Sequence, residues 1–138
     1  MAFASEKTLQ LILNKLSSSL FVTFDNEQTL IYRNQGINAT YNIINSASRV
    51  FGLTCRNLNI LSARYIQLWD TSGNAGTGTL KFEEYIPANG NINHSSVFSK
   101  NGLYFLTGIT FGFSTISGDY TAGQASDNIT QITYNIIT

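Results

Sequence analysis

Charge is scarce in this chain of 138 residues: Lys+Arg and Asp+Glu number 8 each, charged residues make up 12%, and the formal net charge is zero. That is about half the charged share of an ordinary soluble domain. There is no basic run, hence no electrostatic footprint for nucleic acid, and no nucleic-acid partner is expected. A small surface with so little charge has weak protection against association, which points to an assembly that covers much of it. Cysteine is nearly absent too. Cys55 stands alone, which excludes an intrachain disulfide and argues against a secreted, disulfide-stapled domain. The single histidine, His94, rules out a multi-histidine metal site, and no acidic cluster has calcium-loop spacing. No apolar run approaches the roughly 18 residues of a membrane span, so no membrane insertion is expected. The N-terminus lacks a signal-peptide pattern, and synthesis in a reducing cytoplasm fits these absences.

Hydrophobic residues make up 43%, enough for one ordered domain that buries roughly two-thirds of its unfolded surface. Near the N-terminus, Leu9, Ile12, Leu13, Leu16 and Leu20 recur at helical spacing. Ser5 is placed to cap this helix, Glu6 suits its first turn, and the serines at 17–19 end it. The apolar stripe has two uses: docking on the body of its own domain, or contact between subunits. It is too short for a self-sufficient coiled coil.

From residue 21 onward the chain reads as short strands between Gly/Asn-rich turns. Ile37, Ala39, Tyr41 and Ile43 alternate with polar residues, as do Phe51, Leu53 and Cys55. Further strands are expected over 65–69, 80–86, 92–98, 103–106, 109–114 and 129–137. The most regular places Ile109, Phe111 and Phe113 on one face, with Thr110, Gly112 and Ser114 on the other. In the last strand Ile132, Tyr134 and Ile136 face inward. Turn signals at 34–36, 70–73, 87–90, 101–102 and 117–119 separate them. Without helical crossovers, this spacing predicts a mainly β fold: an antiparallel β-sandwich or jelly roll with one N-terminal α-helix. Two parts are expected, the helix over 1–20 and the β domain over 21–138.

The search for chemistry returns little. His94 has no nucleophile-elbow partner and reads as a surface residue, and Cys55 reads as a buried structural thiol. Glu83 and Glu84 point to opposite strand faces, which does not suit paired acid–base work. Solvated strand positions are their plain reading, and a glycosidase-type pair from distant strands stays open. The sequons at Asn38, Asn93 and Asn128 read as accidental in so Asn-rich a chain. The glycine-rich run 73–78 precedes a strand rather than a helix, so it does not fit a phosphate cradle. No catalytic, metal or cofactor residues are assigned. Tyr65 and Trp69 share one strand face. They either pack in the core, make a subunit contact or, with the loop residue Tyr120, form a platform for a glycan.

Several motifs in the second half follow a recognisable order. They are Leu68-Trp-Asp70, Thr77-Gly-Thr79, Ile86-Pro-Ala-Asn-Gly90, Gly102-Leu-Tyr-Phe-Leu-Thr-Gly-Ile109, Ser114-Thr115 and Gly118-Asp-Tyr-Thr121. The series resembles a β domain common in structural proteins of tailed-phage virions, among them head-decoration, head-fibre and tail-fibre components. It covers about half the chain, departs from the pattern by Asn89 within the Pro-Ala-Gly turn, and has no counterpart for the first 30 residues. The resemblance implies a non-enzymatic virion protein that decorates a capsid or forms part of a head fibre. Expected partners are further copies of itself, as a homotrimer, and other virion proteins such as the major capsid protein. The alternative is a receptor- or glycan-binding module of a fibre, contacting host surface glycan. A hydrolase acting on surface polysaccharide is a remote third. The expected location is the virion, after synthesis in the host cytoplasm. Leu9, Ile12, Leu13, Leu16 and Leu20 are the expected assembly contacts.

Overall fold

A computed structural model of the chain describes residues 29–94, 98 and 101–137. The expected helix over 1–20, with its five assembly residues, and the strand-like run 21–24 lie outside the described residues. Within them the fold is mainly β, in two antiparallel sheets. The first sheet has the order β1 (Thr29–Gln35), β9 (Asn128–Ile136), β3 (Ser48–Asn57), with β6 (Asn91–His94) and β7 (Leu103–Phe105) following one another along the free edge of β3. The second has the order β2 (Thr40–Ile44), β8 (Ile109–Ser114), β4 (Arg64–Asp70), β5 (Thr79–Ile86).

Alternation of apolar and polar residues decides which face of each strand meets the core. From the first sheet come Val50, Leu53, Cys55, Phe105, Ile132 and Tyr134; from the second come Ile66, Leu68, Ile86, Ile109, Phe111 and Phe113. They form one buried cluster. Registers sort the connections: the β1–β2, β3–β4, β5–β6 and β8–β9 links lie at one end, and the β2–β3, β4–β5 and β7–β8 links at the other. The chain enters β1 at the second of these ends, where Thr29 pairs with Asn135.

Some expectations shift. Thr29–Gln35 is a strand that no clean apolar–polar alternation marks in the sequence, because apolar Ile31 faces outward and polar Asn34 is buried. The expected strand start at Ile37 is a turn instead. The Asn34 side chain accepts the N–H groups of Ile37 and Asn38, Gly36 takes φ +71°, and Ile37 is 75% exposed. Phe51 leaves the face of Leu53 and Cys55 because β3 bulges between Val50 and Gly52. Of the strand expected over 92–98, Asn91–His94 is described as β6, while 95–97 lie outside the described residues.

β8 is buried on both faces rather than one. Its small polar face lies under a roof of loop: a Cβ on Gly112 would sit 2.9 Å from the Tyr120 ring and 3.0 Å from Ala75 Cβ. In the 87–90 turn, Asn89 adopts φ +56°, a conformation asparagine tolerates, and its N–H donates to Asn59 O at 2.7 Å.

Candidate functional site

Tyr65 and Trp69 do lie on the outer face of the second sheet, but Trp69 is not available to a ligand. It is only 4% exposed, and its indole N–H donates to Gln67 Oε1 at 3.0 Å. The platform expectation for Trp69 is thus corrected, because the loops after β4 and β8 cover that face. Gln67 fastens the cover. It is fully buried, and its amide donates to Glu83 Oε1 at 2.9 Å and to the backbone carbonyls of Asp119 and Ile116. Tyr120 is half-buried, and its ring lies against Gly112 as part of the roof. Tyr65 is half-buried and meets Tyr85 edge-on, with ring centroids 5.6 Å apart. Tyr85 is 55% exposed, so the open aromatic pair is Tyr65–Tyr85, a cross-strand pairing that sequence reading missed.

Two carboxylates of the second sheet, Asp70 and Glu83, are occupied in scaffold contacts. Asp70 accepts three successive backbone N–H groups: Leu106 on Oδ2 at 2.9 Å, and Thr107 and Gly108 on Oδ1 at 2.8 and 3.3 Å. Burial pulls its pKa upward, but those donors and the charge of Lys81 outweigh it and hold the carboxyl below its usual range. Glu83 behaves alike. Burial is opposed by Gln67, the Gly118 N–H and the Ser117 hydroxyl, and the carboxyl stays ionised to lower pH than usual. The expectation of plain solvated glutamates is corrected accordingly.

Glu84 shares the core-side face with Phe82, because the extra residue Lys81 displaces Leu80 to the position opposite Trp69. There its Oε2 contacts His94 Nε2, which joins an edge strand of one sheet to an edge strand of the other. Phe82 packs edge-on against His94 at 5.8 Å and Phe98 at 5.2 Å. His94 is therefore part of an inter-sheet cluster rather than a plain surface residue.

Cys55 is buried, as expected. Burial pushes its thiol up to about 12, against a smaller opposing effect of the Thr130 hydroxyl, which donates to Sγ at 3.3 Å. In the folded chain a thiol-specific disulfide reagent is expected to react with it at least about three orders of magnitude more slowly than with a free cysteine. Full reactivity should return in denaturant. Rapid labelling of the folded protein would contradict the burial of this face.

Among the described residues, no group of three or more His, Cys, Asp or Glu side chains is arranged to hold a metal ion. No helix among them is long and apolar enough to cross a membrane. No family model matches this chain, and neither a curated protein nor a solved structure matches it.

Proposed function

We propose that the chain is a non-enzymatic structural protein of a tailed-phage virion: a jelly-roll sandwich joined to an amphipathic helix over 1–20, decorating a capsid or forming part of a head fibre. The observation that supports this most is the connectivity of the sheets. Counting β6 and β7 as one interrupted edge strand, the chain visits the sheets in the order first, second, first, second, second, first, second, first. With sheet orders 1-9-3-6 and 2-8-4-5, this is the double Greek-key pattern of jelly rolls, an architecture of viral capsid and lectin domains. It is an argument from architecture.

The virion-like motifs make the same kind of contribution. Asp70, from Leu68-Trp-Asp70, binds the backbone of Leu106, Thr107 and Gly108 within the 102–109 motif. Tyr120, from the 118–121 motif, covers Gly112. Side chains that serve the scaffold in this way are unavailable as acids or bases, which supports a non-enzymatic reading.

In this proposal Leu9, Ile12, Leu13, Leu16 and Leu20 hold a homotrimer together and attach it to other virion proteins. The chain enters β1 at the end opposite Ile37, Ile60 and Leu61, which are 75%, 74% and 87% exposed. Attachment through the N-terminal segment would present those loops outward. A double change, Leu13→Asp with Leu16→Asp, is expected to release monomers in light scattering while leaving the β-sheet circular dichroism unchanged. The same mass before and after would overturn the assembly assignment.

The second reading is a receptor- or glycan-binding module of a fibre. The exposed Tyr85 ring against Tyr65 favours it, and Trp69 has no part in it.

A further inference from the structure

Charge is not spread evenly over the two sheets. The five strands of the first sheet contain Arg33, Arg49 and Arg56 and not one carboxylate. The second sheet carries Asp70, Glu83 and Glu84 against Arg64 and Lys81. On the outer face of the first sheet, register builds two adjacent rows. One runs Arg33, Gln131, Thr54, Asn93; the next runs Gln35, Ile129, Arg56, Asn91. Arg33 and Arg56 are both exposed and stand two strands and one row apart, roughly 12 Å from strand spacing and rise. The Arg33 Nε–H donates to Gln131 Oε1 at 3.2 Å, which orients one guanidinium over the sheet. Asp127, in the turn before β9, accepts from the Asn59 amide at 3.1 Å and keeps its negative charge at the border of this face.

We propose that this face binds an acidic polysaccharide, with Arg33 and Arg56 as forks for successive sugar carboxylates and the Gln131 amide and Thr54 hydroxyl between them bonding to sugar hydroxyls. A guanidinium matches a carboxylate bidentately, and amide side chains suit hydroxyls because they both donate and accept. Two shallow depressions lie on either side of Thr54, of about 110 Å³ beside Phe51 and Gln131 and about 170 Å³ beside Arg56 and Ile129. Both are well below the roughly 300 Å³ of a drug-sized site. A protein partner fits less well, since Ile129 is the one apolar side chain in the two rows and its register neighbours are Gln35 and Arg56, which does not make the apolar centre of a protein interface. Single-stranded nucleic acid fits less well too, because Tyr104, the exposed aromatic that the described residues place on this face, stands beside Arg49 rather than in the rows of Arg33 and Arg56, which leaves no succession of rings for bases to stack on. The site is separate from Tyr65 and Tyr85, which belong to the other sheet, and it does not depend on the virion reading.

The test is titration of the full chain with oligogalacturonate, the methyl ester of the same oligomer, and a single-stranded DNA oligomer of similar charge. Oligogalacturonate should bind, with affinity falling as salt rises, while the ester should bind at least about tenfold more weakly. Arg33→Gln with Arg56→Gln should cost about tenfold or more. Arg33→Lys with Arg56→Lys, which keeps charge without the fork, should fall between. Circular dichroism should be unchanged in both, since the two side chains are exposed. Equal affinity for the ester, tighter binding of DNA, undiminished binding by the Gln variant, or no binding to oligogalacturonate, alginate or hyaluronate would each overturn the proposal. So would a lower oligomer mass in the Gln variant, which would make the face a contact between copies.

Discussion

Replacing Phe111 with alanine should lower stability by about 3–5 kcal/mol, a large share of the roughly 5–15 kcal/mol that holds a domain folded. Phe111 is fully buried in β8, the inner strand between β2 and β4. Its register partners are Tyr41 on one side and Leu68 on the other, and its ring lies 5.5 Å from Tyr32 of the opposite sheet. Tyr32 in turn stacks on Tyr41 at 5.2 Å. Removing the ring therefore opens a void where the two sheets meet, and the flanking strands cannot close it without breaking ladder hydrogen bonds. Tm should fall by roughly 10–20 °C. Phe111→Leu, which keeps most of the volume, should cost about 1–2 kcal/mol. Equal melting temperatures for both variants would mean that the sheets do not pack through this residue.

The second large effect concerns Asp70. Its carboxylate holds together the turn that carries the chain from β7 into β8, so Asp70→Ala leaves three N–H groups without their partner. A loss of about 2–3 kcal/mol is expected at neutral pH. The pH dependence follows from the direction of the shift. A carboxyl held below its usual range stabilises the fold fully above the unfolded-state value of about 4, and that stabilisation is lost as pH falls through the folded value. Glu83 is shifted the same way. The wild-type melting temperature should thus be flat above about pH 5 and drop steeply below pH 4. Asp70→Ala combined with Glu83→Gln should melt lower throughout but with a shallower acid limb, so the two curves converge at low pH. Parallel curves would show that these carboxylates do not carry the acid sensitivity.

Much of the β architecture was legible because it is written in local alternation. Ile109, Phe111 and Phe113, or Ile132 and Tyr134, announce a buried face within a few residues of chain. What was not legible depends on distant pairing. The bulge that turns Phe51 away is visible only against β9, and the extra residue Lys81 only against β4. Trp69 looked like a candidate platform because its cover, the 115–120 loop, comes some fifty positions later in the chain and is fastened through Gln67. His94 and Glu84 sit on edge strands of different sheets, so no strand periodicity could have joined them. Arg33 and Arg56 share a face only because β9, the last strand, inserts between β1 and β3.

Asp70, Glu83, Glu84 and Cys55 are all engaged in contacts within the scaffold, and the virion role proposed above is tested at the level of assembly. Position in a particle is therefore the most direct measurement. On the proposal that the chain is a virion protein, virions encoded with it would be purified and imaged by electron cryomicroscopy with a chain-specific antibody fragment. The account predicts label at regular sites on the head, in groups of three. Absence of the chain from purified virions, by both imaging and peptide mass spectrometry, would contradict it.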